Sequence, residues 1–165
     1  MRHAQPDTLD EMEEYALSGF LEDSSLRSFA LNDTPIHVTL VDNFYSITPT
    51  DELVNLLGKV VAELPRVTIT GKAKALFGPE NNMSVTEVLK TPELEAMHFK
   101  LLATLTAYIR PKYPDFVGPG YHPHVTDQPS GGLQMSKDYP VKSLSLVKIH
   151  KDTATILVSF YFKPR

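Results

Sequence analysis

The chain has 165 residues, enough for one domain with a substantial core. Its 42% hydrophobic and 22% charged residues describe a folded chain, and the net charge of −4 argues against an extended basic footprint for long nucleic acid. The absence of cysteine excludes a disulfide framework and a thiolate metal site. No apolar run suggests a membrane span or a leader segment, so a cytoplasmic monomer over residues 1–165 is expected.

In chain order, Thr8-Leu9-Asp10-Glu11 has the form of a capping box. It predicts a helix over about 9–22, with Leu9, Met12, Ala16 and Phe20 on one side and a break at Asp23-Ser24-Ser25. Residues 26–31 are expected as a short edge strand. Residues 35–42 read as a strand with Ile36, Val38 and Leu40 toward the core and His37, Thr39 and Val41 on the opposite face. Phe44 and Tyr45 are expected in the loop that follows, either stacking on a bound base or covering the core edge. Thr48-Pro49 opens a second helix, with proline favoured at the first helical position. Its stripe is Leu53, Leu56, Leu57, Val60, Val61 and Leu64, and Pro65 stops it.

Residues 66–77 alternate as a long strand, with Lys72 and Lys74 on its polar face. Gly78–Asn82 is a turn cluster, and 84–90 is the partner strand. Thr91-Pro92-Glu93 starts the longest helix, striped by Leu94, Met97, Leu101, Leu105 and Tyr108 and ending at Arg110-Pro111. His98, one position off the stripe, is expected on the helix surface. Residues 112–120 form a loop rich in proline and glycine. A strand over 121–127 follows, its regular part starting after Pro123, which has no N–H for a ladder. Residues 127–139, with Ser130-Gly131-Gly132, are a candidate lid. Residues 141–149 and 153–162 close the chain as a hairpin across His150-Lys151-Asp152. Strand pairs joined by short turns give an α+β fold: two lobes of antiparallel sheet, outer helices and a groove between.

Two of these strands share a motif. His37-Val38-Thr39 and His124-Val125-Thr126 stand 87 residues apart, each with an imidazole and a hydroxyl on one strand face. Six histidines and fourteen threonines in this length give roughly half a His-x-Thr match by chance. Both matches fall on predicted strands, both have valine between the polar pair, and both occupy comparable places in the two halves. His122 joins the second face if that strand begins early.

With this spacing and order of elements, the chain resembles the two-histidine phosphoesterase superfamily over roughly residues 35–162. That group includes 2′-5′ RNA ligase-like proteins and RNA 2′,3′-cyclic phosphodiesterases. The resemblance implies pseudo-symmetric α+β lobes around a central cleft, each contributing one motif strand. It implies His37 and His124 as catalytic residues and Thr39 and Thr126 as phosphate ligands. Members usually open with a strand, where this sequence predicts a helix.

Such a quartet suits phosphodiester cleavage without a metal or cofactor. Two histidines that titrate near neutrality can serve as base and acid. Two hydroxyls can hold the non-bridging oxygens. Small nucleotides or RNA ends are the expected substrates, with Tyr121, Phe44 and Tyr45 as candidate base contacts. Two rival readings remain. One is a nucleotide-binding module without turnover on the same scaffold. The other is a zinc hydrolase with His37, His122 and His124 as nitrogen ligands.

Overall fold

The computed structural model describes residues 12–22 and 27–164. In chain order the elements are β1 (Glu14–Phe20), β2 (Ser28–Ala30), β3 (His37–Ser46), α1 (Thr50–Glu63), β4 (Val67–Phe77), β5 (Met83–Val88), α2 (Pro92–Leu105), β6 (Ile109–Pro111), β7 (His124–Thr126), β8 (Asp138–Val141), β9 (Ser143–His150) and β10 (Thr153–Tyr161). They build a six-stranded sheet, ordered β2-β10-β9-β1-β3-β6, and a four-stranded sheet, ordered β7-β5-β4-β8. Every pairing between these strands is antiparallel. The fold is α+β with two lobes. The larger lobe draws its strands from both ends of the chain, because the β9–β10 hairpin returns to pair with β1 and β2. The smaller lobe comes from the middle.

The main correction lies at the start. Residues 14–20 form strand β1 between β3 and β9, where a helix was expected. The helix reading took Ala16 and Phe20 as one face. In the strand, Ala16, Ser18 and Phe20 share a face, while Tyr15 and Leu17 point into the core on the other. A strand buried on both faces lacks the polar alternation that marks a half-exposed one. Gly19 also fits this placement, since a Cβ there would lie 2.5 Å from Val141 Cγ1. Among the described residues, the first element is therefore a strand ahead of α1. The capping box at Thr8–Glu11 lies outside the described residues.

The remaining elements follow their local chemistry. α1 buries Leu53, Leu57, Val60 and Val61, and Pro49 stands at its N-cap rather than at the first helical position. Thr91 caps α2 by accepting from the Leu94 N–H at 3.2 Å. Two strands carry proline, both at sheet edges where ladders tolerate it: Pro111 ends β6 of the larger sheet and Pro140 lies in β8 of the smaller, while Pro123 sits just ahead of β7. The core gathers the apolar faces of both helices with Val38, Leu40 and Phe44 of β3 and Val67 and Ile69 of β4. Among the described residues, no helix is long and apolar enough to cross a membrane.

Candidate active site

The site follows from what β3 does after its motif. His37 pairs with Phe20, Val38 with Gly19 and Thr39 with Ser18, but Val41 is the partner of Leu17. Leu40 is thus an extra residue, a β-bulge that resets the alternation. Val41, expected beside His37 and Thr39, turns fully into the core. Asp42 takes its place on the motif face. On β7 no such reset is needed: Val125 is buried, and His124 and Thr126 face the other way.

The two motif faces meet in one cavity of about 980 Å3 lined by His37, Thr39, Asp42, His122, His124 and Thr126. This lies at the upper end of ligand pockets, roughly 300–1,000 Å3. The two motifs repeat one backbone contact. His37 Nδ1 lies 2.8 Å from the Pro35 carbonyl oxygen, and His124 Nδ1 lies 2.8 Å from the His122 carbonyl oxygen. A carbonyl can only accept, so each Nδ1 carries the proton, and Nε2 is the nitrogen left to titrate. Each imidazole is also backed by a phenyl ring: Phe20 at 5.3 Å from His37 and Phe77 at 4.8 Å from His124.

The electrostatics of the two histidines differ. Burial lowers the pKa of His37, the Pro35 carbonyl opposes this, and the nearby His124 lowers it further. Burial also lowers His124, but here the His122 carbonyl and the Asp42 carboxylate both oppose it. Asp42 itself is pushed up, mainly by burial. Asp42 accepts from the Asn43 N–H at 2.7 Å, which fixes its carboxylate on the β3 bulge.

A buried network joins the two motif strands from behind. His98 is fully buried, contrary to the surface position expected for it. Its Nδ1 donates to the Leu40 carbonyl at 2.7 Å, and its Nε2 accepts from the Gly118 N–H at 2.9 Å. Its ring stacks on Tyr121 at 3.9 Å and 4°. The Tyr121 hydroxyl in turn donates to the Thr39 carbonyl at 2.9 Å. Tyr121 also lines the cavity, where it was expected as a base contact, while its ring stack on His98 and its hydroxyl give it a positioning role as well. Phe44 is sealed in the core, 6.0 Å from Tyr15, and does not reach a ligand. Tyr45 lies within β3, paired with Arg110 of β6, and is not part of the cavity wall. The loop expected for this pair is strand.

Other candidates resolve as follows. Lys74 donates to Thr86 at 2.8 Å and pairs with Asp127 at 2.9 Å, so it braces the residue after Thr126. Lys72 is exposed on β4. His122 is half exposed, 3.9 Å from Glu87 and packed edge-on to Phe77. Among the described residues no three His, Asp or Glu side chains group as metal ligands, and His37, His122 and His124 do not form the nitrogen triad of the zinc reading. His150 ends β9 at the surface, and His3 lies outside the described residues. The expected lid over 127–139 is partly anchored. Gln128 and Gly131 exchange backbone hydrogen bonds at 2.8 Å, and Leu133 is buried in the core. Asp42 and His98 were missed in the sequence. The bulge that exposes Asp42 to the cavity leaves no local signal, whereas His98 stood one step from an apolar stripe.

A family model described as the 2′-5′ RNA ligase superfamily matches residues 5–151. The chain belongs to the 2′-5′ RNA ligase superfamily. Membership in this superfamily supports an activity of phosphodiesterase type. Solved structures share its fold at low identity. A phosphoesterase matches with a TM-score of 0.56 and 12% identity, over 92% of this chain and 99% of that one. A Thermus thermophilus protein matches with 0.57 and 13%, over 92% and 99%. Escherichia coli LigT complexed with 3′-AMP matches with 0.54 and 13%, over 93% and 99%. No curated protein matches the sequence.

Proposed function

We propose that this superfamily member is a metal-independent phosphodiesterase acting on cyclic phosphate or linear 2′-5′ or 3′-5′ diester bonds of RNA ends or small nucleotides. The observation that carries the reading is the convergence of His37, Thr39, His124 and Thr126 on one cavity, with both Nδ1 atoms tied to carbonyls two residues back. In this reading a phosphate sits between the two motif strands. The Thr39 and Thr126 hydroxyls donate to its non-bridging oxygens and stabilise the charge that builds in the transition state.

Asp42 breaks the symmetry of the pair. Burial lowers the pKa of both histidines, but the Asp42 carboxylate opposes this at His124, whereas at His37 the Pro35 carbonyl opposes it and the nearby His124 lowers it further. We therefore assign His37 as base and His124 as acid for hydrolysis. His37 Nε2 takes a proton from water as its oxygen bonds to phosphorus. The ester P–O bond breaks, and His124 Nε2–H protonates the departing oxygen. A 2′,3′-cyclic phosphate treated this way by loss of the 3′ oxygen yields a 2′-phosphomonoester.

The test is a turnover panel in chelator. It contains a nucleoside 2′,3′-cyclic phosphate, a 2′-5′ dinucleotide, a cyclic dinucleotide and ADP-ribose cyclic phosphate, each tried with wild type, His37→Ala and His124→Ala. Cleavage of at least one by wild type, lost in both variants with their folds intact, supports the reading. If no diester turns over while nucleotides still bind, the protein is a binding module. Activity that vanishes in chelator and returns with zinc overturns metal independence.

A further inference from the structure

The two motif strands are held to different degrees. β3 is a ten-residue strand between β1 and β6. β7 is a three-residue strand at the edge of its sheet, paired with β5. Its register is set by three residue pairs, Glu87 with His124, Thr86 with Val125 and Val85 with Thr126. A slip of one residue turns Val125 toward the cavity and takes His124 and Thr126 off it. The residue after each motif threonine is gripped by a side chain from a neighbouring element. On β3 it is Leu40, whose carbonyl accepts from His98 Nδ1 at 2.7 Å. After β7 it is Asp127.

Asp127 is tied at three points. Its N–H donates to the Ser84 carbonyl at 3.0 Å, its Oδ2 accepts from the Ser84 hydroxyl at 2.5 Å, and its Oδ1 accepts from the Lys74 ammonium at 2.9 Å. The two Ser84 contacts, one between backbones and one between side chains, are satisfied together in a single register. Lys74 also donates to the buried Thr86 hydroxyl at 2.8 Å, so the lock spans β4, β5 and β7. Gly132 packs against Oδ1 so closely that a Cβ there would collide with the carboxylate. Asp127 itself stands outside the cavity wall. The Lys74 and Asp127 side chains are 51% and 26% exposed, so their ion pair adds little to global stability. Its effect is local: it fixes the residue whose backbone continues directly from Thr126.

We infer that Asp127, held by Ser84 and Lys74, is a positioning residue that aims the Thr126 hydroxyl at the phosphate. It touches no reacting atom and acts through Thr126. The inference rests on the phosphodiesterase reading for what Thr126 contacts, but not for the lock itself. A hydroxyl that stabilises charge building in the transition state loses its effect when displaced by a fraction of an ångström, so the loss falls on kcat more than on KM.

The test places Asp127→Ala and Ser84→Ala in wild type, in Thr126→Val and in Thr39→Val, and follows a diester that wild type cleaves. Asp127→Ala should lower kcat by roughly 5- to 50-fold with KM within about twofold. Ser84→Ala, at an exposed position, keeps the backbone bond and should lose about threefold. It carries the same test if Asp127→Ala does not fold. In Thr126→Val either change should have no further effect, whereas in Thr39→Val its full factor should recur. Equal losses in the two backgrounds, or a loss confined to KM, overturn the inference. If wild type cleaves no diester, the phosphodiesterase reading fails and amide hydrogen exchange decides the lock. Asp127→Ala should then speed exchange of the β7 amides by about tenfold or more while those of β9 hold, and unchanged β7 exchange overturns the lock.

Discussion

Replacing His98 by alanine tests the network that holds the two motif strands in register. The change removes a donor from the Leu40 carbonyl, an acceptor from the Gly118 N–H and a ring stacked on Tyr121. Gly118 is buried, so its N–H loses its partner away from water. A stranded buried donor costs about 1–3 kcal/mol, and the void left by the ring adds about 1–2 kcal/mol more. Leu40 sits at the β3 bulge, where its carbonyl depends on His98 rather than on a regular ladder, so a smaller penalty falls there too. The expected loss is about 3–5 kcal/mol, a third or more of the stability of a typical domain. Urea unfolding followed by far-ultraviolet circular dichroism measures it. His98→Phe is the companion: it keeps a ring against Tyr121 and loses both hydrogen bonds, so it should recover the void contribution only. A loss below about 1 kcal/mol in His98→Ala, or full recovery in His98→Phe, would refute the view that the imidazole is a hydrogen-bonded link.

His98 also makes stability depend on pH. Burial lowers its folded pKa, with Lys90 adding to that and the Leu40 carbonyl and Glu95 opposing it. The unfolded chain then binds more protons below about pH 6.5, so stability falls as pH drops through that value, by up to about 1.4 kcal/mol per pH unit. Melting temperatures from pH 8 to 5 report this, and in His98→Phe the fall should be shallower. His37→Ala and His124→Ala should each lower kcat/KM by about 10²–10⁴ with melting temperature little changed, and Thr39→Val or Thr126→Val by about 10–10³. Asp42→Asn removes the carboxylate that raises the pKa of His124. The alkaline limb of the pH–rate profile should move to lower pH while the acid limb holds, and the His124 Cε1–H resonance should titrate lower; an unmoved resonance refutes the assignment of the acid. Gly120→Ala drives a Cβ into the Asp115 carbonyl oxygen. Relief requires a shift of the loop ahead of Tyr121, and calorimetry should show a loss of about 1–3 kcal/mol.

What the sequence disclosed, and what it hid, divides along one physical line. Periodicity survives where one face of an element meets the core and the other meets water. α1 and β4 have that character, and their expected spans lie within a few residues of the observed ones. The same holds for the motif strands, whose valines are buried while the His and Thr side chains face the cavity. Periodicity fails where both faces are covered. β1 carries core residues on one side and cavity wall on the other, so Tyr15–Phe20 offered no polar rhythm, and the capping-box form of Thr8–Glu11 with the spacing of Leu9, Met12, Ala16 and Phe20 drew it as a helix. His98 is the mirror case: a polar residue read as surface because its type is usually exposed, yet satisfied in the core by two backbone groups distant in sequence. The bulge at Leu40 is a third kind of loss. A pattern with period two puts the next side chains on the wrong face, which is why Val41 was placed in the groove and Asp42 was not; a second register shift, between Tyr15 and Leu17 of β1, returns Phe44 to the core. The quartet was legible because each half of it lies within three consecutive residues of one strand. Asp42, which faces His124, and Thr34 and Gln128, which line the same cavity, are set by a register shift and by contacts between lobes. Their roles depend on pairings that no local stretch of sequence encodes.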